Sequence, residues 1–108
     1  MYVQQYDVKF EKIRQGVYVF DVECSKDAMP LSLTWNEEGL TVNILELEDI
    51  PEVDWKIQFM IVASGVKVKK PRYIQYVNTA VKPPETVFVD NRPEAMTLPV
   101  NYHLFIIG

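Results

Sequence analysis

Apolar and polar residues alternate along much of this chain, and the alternation has a period of two. Tyr2, Tyr6, Val8 and Phe10 stand at even positions against Val3, Gln5, Asp7 and Lys9. Leu31, Leu33 and Trp35 alternate with Ser32 and Thr34, and Leu40, Val42 and Ile44 with Thr41 and Asn43. The longest such row is Trp55, Ile57, Phe59, Ile61 and Ala63. Successive side chains of a strand point to opposite faces, so each row predicts a strand with one buried face. Between the second and third rows lies Asn36-Glu37-Glu38-Gly39, a turn sequence with Gly39 at a position where φ often becomes positive. A four-residue loop there sets Trp35 against Leu40, Leu33 against Val42 and Leu31 against Ile44. A three-residue loop would mix the two faces, so the four-residue register is the one expected. Ser64-Gly65 predicts a second tight turn, with Ala63 opposite Val66 and Ile61 opposite Val68.

The remaining segments fit the same pattern. Residues 17–22 are rich in the β-branched and aromatic side chains that suit a pleated surface. Residues 23–30 read as a loop, with room for one helical turn around 26–28. Ile44-Leu45 shifts the phase of its strand, which predicts a bulge or the strand's end. Short strands are expected at 73–77 and 87–89, a break at 81–84 and a turn at 90–93. Residues 102–107 form an apolar run of the kind found in central strands. No segment carries helical periodicity over ten residues. The fold class expected is all-β: a single domain over residues 1–108, an antiparallel β-sandwich or small barrel of eight or nine short strands.

Composition sharpens this expectation. With 108 residues, 48% of them hydrophobic, the chain can bury a core without disulfides or metal. Cys24 is the only cysteine, so no intrachain disulfide can form, and a buried or semi-buried thiol is expected rather than a nucleophile. No apolar run reaches the length of a signal peptide core or the ~20 residues needed to cross a bilayer. A protein without membrane association, in a reducing compartment, is the expectation.

Charge is segregated along the chain. Glu37, Glu38, Glu46, Glu48, Asp49, Glu52 and Asp54 form an acidic half with no base among them. Lys56, Lys67, Lys69, Lys70, Arg72 and Lys82 follow with no acid among them. Two arrangements satisfy this pattern. Adjacent strands could set the signs opposite one another as cross-strand ion pairs. Alternatively, the two signs could occupy separate surfaces and steer docking to a charged partner or to another copy.

Most chemistries find no support. Four glycines, at 16, 39, 65 and 108, make no phosphate-cradling loop. One histidine and one cysteine make a metal site improbable, and no cofactor is expected. His103 lies within an apolar run, where a hydrogen-bonded structural histidine is expected rather than a catalytic base. A hydrolase built on His103 or a pair of loop acids is the remaining enzymatic reading, and no catalytic residue stands out. Lys67, Lys69, Lys70, Arg72, Tyr73 and Tyr76 mix bases with aromatic rings, as binders of single-stranded nucleic acid do. The net charge of −4 opposes that reading, because affinity for phosphate backbones comes mainly from positive charge. The same side chains could instead hold a small nucleotide signal, guanidinium on phosphate and ring on base.

The segments PLSLTWNEEGL, FMIVASG, YIQYV and YHLF, in this order, resemble a family of short bacteriophage-encoded proteins of unknown function. Leu31, Gly39, Phe59, Gly65, Tyr73, Ile74, Tyr102, His103 and Phe105 carry the resemblance. Val66 departs from it, since that family commonly has histidine after the small residue and glycine. The resemblance implies phage origin, a small compact domain, and residence in the host cytoplasm or on the virion. The combined expectation is a non-enzymatic protein that binds a protein partner or its own copies, in a counter-defence or virion-accessory role. Its expected surfaces are the acidic loop (Glu46, Glu48, Asp49, Glu52, Asp54) and the basic–aromatic stretch from Lys67 to Tyr76.

Overall fold

A computed structural model describes residues 1–49 and 51–108; Ile50, in the expected acidic loop, lies outside the described residues. Among the described residues nine strands follow in order: β1 Tyr2–Lys9, β2 Val17–Cys24, β3 Met29–Trp35, β4 Gly39–Glu46, β5 Trp55–Ala63, β6 Ile74–Lys82, β7 Thr86–Val89, β8 Arg92–Met96 and β9 Val100–Ile107. A 3-10 turn, Phe10–Ile13, joins β1 to β2 and buries Ile13. The protein is therefore all-β and antiparallel, as its alternation predicts. Three sheets form, ordered β1-β4-β3, β2-β5-β9-β6 and β7-β8.

The first two sheets face each other. Their inward rows meet in one core: Val8 from β1, Phe20 and Val22 from β2, Leu33 from β3, Leu40, Val42 and Ile44 from β4, Phe59 and Ile61 from β5, and Leu104 from β9. Rings stack within this core: Tyr6 on Phe20 at 5.2 Å and Phe20 on Phe59 at 5.6 Å. The outward rows differ. On the small sheet they are polar and joined across strands: Thr41 donates to Asp7, Gln5 to Asn43, and Asn43 to Ser32 and Thr34. On the large sheet the outward row includes Val19, Met60, Phe105 and Tyr76, cross-strand neighbours in a mostly apolar line.

A side chain bridges the β3 and β6 edges. Asn78 Oδ1 accepts the Leu33 amide at 3.1 Å, satisfying a backbone donor that no strand reaches. Both strands bend here, with irregularities between Pro30 and Ser32 and between Tyr76 and Asn78. The β3 bulge corrects one expected pairing. Trp35 does face Leu40 and Leu33 does face Val42, but Pro30 takes the place opposite Ile44 and Leu31 is left partly exposed. The irregularity expected at Ile44-Leu45 thus sits on the neighbouring strand, and β4 continues to Glu46.

The second expected hairpin does not form. Ser64-Gly65 does turn, with the Val66 amide bonded to the Ala63 carbonyl and Gly65 at φ +87°. Residues 66–70 then carry no strand, because both edges of β5 are occupied, by β2 and by β9. Since β5 and β6 each run antiparallel to β9, they are parallel to one another. Residues 64–73 must therefore travel the length of the sheet past β9. Two further boundaries move: β6 runs through the expected break to Lys82, and Arg92 to Met96 form a strand where only a turn was expected.

Gly39 is needed for a reason other than φ, since the positive-φ glycines are Gly16 and Gly65. A Cβ on Gly39 would overlap the Val8 carbonyl of the paired strand β1. Gly39→Ala is therefore expected to cost about 1–3 kcal/mol by forcing β1 off β4. A urea titration measures this loss, and an unchanged midpoint would contradict it.

Candidate interaction surfaces

The antiparallel order gives the sandwich two ends. The upper end gathers Lys9, Trp35, Gly39, Ala63, Lys82 and Val100; the lower end gathers Tyr2, Cys24, Met29, Glu46, Trp55 and Ile74. This divides the acidic half of the sequence. Glu37 and Glu38 sit on the upper turn, whereas Glu48, Asp49, Glu52 and Asp54 sit on the lower connection between β4 and β5.

Glu46 does not belong to that exposed group. It follows Leu40, Val42 and Ile44 in the inward row of β4 and is fully buried, which corrects its expected place on the acidic surface. Its carboxylate accepts the Ser25 amide at 3.2 Å and the Ser25 hydroxyl at 2.6 Å, tying the β2–β3 connection to the end of β4. Cys24 beside it is fully buried, as expected, and free. Burial first, and then the Glu46 charge, push the Cys24 thiol above its ordinary value of 9.0. A thiol held protonated in this way is a poor nucleophile.

Of these exposed acids, Glu48, Glu52 and Asp54 border two adjoining depressions at the lower end, which share Asp54. One is lined by Asp27, Leu47, Glu48, Pro51, Glu52 and Asp54, with Ser25 and Lys26. The other is lined by Val53, Asp54 and Trp55, with Glu23 and Lys56. Five carboxylates thus face two bases. Trp55 begins the inward row of β5 but stands beyond the core and is 57% exposed. Val53 and Leu47 are exposed beside it. The alternation placed Trp55 in the core; its position as the first residue of a strand after an acidic loop was the signal that it would emerge.

Among the described residues, no cross-strand ion pair joins the acidic and basic halves. Among the described residues the salt bridges are Lys82 with Glu85 and the Met1 amine with Asp49. The amine's hydrogen bond and charge hold the Asp49 carboxyl below its ordinary value. Of the basic residues, Lys56 borders the second depression, Lys67, Lys69 and Lys70 are exposed along the crossing segment, and Arg72 and Tyr73 are exposed where that segment reaches the lower end and enters β6. None of Lys67, Lys69, Lys70, Arg72, Tyr73 and Tyr76 lines a described depression. The Tyr73 hydroxyl donates to Gln75 at 2.7 Å, and the Tyr76 hydroxyl bonds to Thr79 at 2.7 Å.

His103 is hydrogen-bonded on both nitrogens. Nε2 lies 2.8 Å from Ser64 Oγ, and Nδ1 lies 2.9 Å from Thr79 Oγ1. The Ser64–His103 spacing is that of a nucleophile and its base. Its surroundings supply little else for acyl transfer: among the described residues no carboxylate bonds to the ring, and the Ser64 amide is already given to Asn101. The network ties β9 to β6 and to the turn after β5.

No family model, curated protein or solved structure matches the chain. Among the described residues no helix is long and apolar enough to cross a membrane.

The third sheet stands apart. β7 and β8 pair with each other and with no other strand. The molecule measures 53 × 32 × 18 Å with a radius of gyration of 16.1 Å, against about 13 Å for a compact chain of this length. The β7–β8 hairpin leaves the upper end between β6 and β9, and its Phe88 is 64% exposed.

Proposed function

We propose that this chain is a non-enzymatic binding protein whose lower end receives a cationic, partly apolar segment of a protein partner or of another copy. The observation that supports this reading is the exposure of Trp55 and Val53 directly beside Glu23, Asp54 and the carboxylates of the adjoining depression. Exposed aromatic rings anchor interfaces, and charges at the rim set encounter rate and choice of partner. A partner carrying Lys or Arg next to an apolar or aromatic side chain fits this surface. The chain's own residues 66–73, VKVKKPRY, have that chemistry, so copies can act as partners for one another.

A peptide of sequence VKVKKPRY tests the reading. Trp35 would obscure the signal of Trp55, but its buried indole N–H has no hydrogen-bond partner, so Trp35→Phe removes an unsatisfied donor and is expected to be tolerated. In that background Trp55 emission should shift to shorter wavelength and saturate with the peptide. Raising salt from 0.05 to 0.5 M should weaken binding severalfold (screening length falling from roughly 14 to 4 Å). A glutamate-substituted peptide should give no shift. Equal responses to both peptides, or none to either, would contradict the assignment.

A further inference from the structure

We infer that two copies of this chain pair through the outer edge of β7, forming a continuous four-stranded sheet in the order β8-β7-β7-β8 across a twofold axis. The free edges of the three sheets differ in how they are protected. An unpaired strand edge exposes N–H and C=O groups that invite another strand, and natural sheets guard such edges with charges or proline. β1 carries Asp7 and Lys9, and β2 carries Asp21 and Glu23. β8 carries Arg92 and Pro93, and a proline cannot donate to a new ladder. β7, Thr86-Val87-Phe88-Val89, has neither charge nor proline.

Two further observations point to a second copy as the occupant. A two-stranded sheet with no packing against a body is marginal in water, and this one pairs with no other strand. Adding a second hairpin supplies the missing strands from an identical surface. The edge is also self-complementary. In an antiparallel pair, adjacent residue pairs alternate between two hydrogen-bonding types, so a twofold axis must pass through a residue facing its own counterpart. That symmetry forbids the one-off register that would set Glu85 against Asp90 of the second copy. It allows Val87 facing Val87, or Phe88 facing Phe88, with a row of β-branched and aromatic neighbours in either case. An edge of four residues is short beside the roughly 800 Å² per partner of stable complexes, so the dimer is expected only at high protein concentration.

Sedimentation velocity over a concentration series tests this, together with cysteine cross-linking. The wild-type protein should pass from monomer to dimer. Phe88→Lys should weaken association at least about tenfold, because the symmetric contact would place the new charge on both strands. Leu98→Lys, at an exposed site outside the strands, should associate like the wild type. Val87→Cys or Phe88→Cys should give a disulfide-linked dimer under mild oxidation. The buried Cys24 should contribute no background. A monomer at every concentration with no cross-link from either cysteine would overturn the inference. So would a dimer that Phe88→Lys leaves intact. Peptide binding at the lower end should be unchanged in Phe88→Lys, so failure of the dimer and failure of the peptide site are separately visible.

Discussion

Phe59→Ala should lower stability by about 3–5 kcal/mol, the largest effect expected of any single substitution in this protein. Phe59 is fully buried at the centre of β5, facing Phe20 on one side and Ile106 on the other. Its ring stacks on Phe20, whose ring in turn packs on Tyr6 and Tyr18. Removing it therefore leaves a cavity in the shared core, beside a ring stack that draws on both sheets. Domains of this size have only about 5–15 kcal/mol in total, so the variant should lose a large part of its margin. Thermal unfolding should fall by roughly 15–25 °C, and the urea midpoint should drop with an unchanged slope. Val19→Ala, an exposed site on the outward row of β2, should change stability by less than about 1 kcal/mol. Similar losses from the two substitutions would mean that the inward and outward rows are wrongly assigned.

Glu46→Ala should cost about 2–3 kcal/mol, although it removes an acid from a protein of net charge −4. The loss arises because the Ser25 amide and hydroxyl are left without their acceptor in a partly buried place. Glu48→Ala, two residues on and exposed, should be close to neutral. Glu46 also acts on Cys24. Its charge is the second cause, after burial, of the raised thiol value, so Glu46→Gln should make Cys24 ionise at lower pH. The sign follows from proton binding. In the folded state the thiol keeps its proton above pH 9.0, where the unfolded chain has lost it. The resulting stability is complete below pH 9.0 and is lost as pH rises through the folded value. Urea titrations from pH 8 to 10.5 on wild type and Cys24→Ala should show this decline in the first and a shallower one in the second. Parallel curves would contradict it.

The strands were legible because their alternation is a local property, and the register of Trp35 with Leu40 followed from it. What local pattern could not supply was competition between edges. Val66 and Val68 alternate as well as any strand here, yet β5 takes β2 and β9 as neighbours, which lie more than thirty residues away on either side. Leu31 was misassigned because the bulge that displaces it accompanies the close approach of β3 to β6, a contact between distant segments. Arg92-Pro93 reads as turn chemistry, which hid β8. The site was legible in part. Glu48, Asp49, Glu52 and Asp54 are on the surface, as their loop predicted. Glu46 could have been set apart from them, since it shares the parity of Leu40, Val42 and Ile44. Trp55 was hidden by the opposite error, an inward parity in a strand that starts beyond the core.

The most direct test of the lower end as the binding surface is a map of backbone amide shifts during titration with the VKVKKPRY peptide. Binding at the lower end should give saturable, salt-sensitive shifts at Ser25 to Asp27, Leu47 to Asp49 and Glu52 to Lys56, with the amides of Lys67 to Tyr76 and of the β7–β8 hairpin unmoved. Shifts centred on Lys67 to Tyr76, or none at the lower end at saturating peptide, would contradict it.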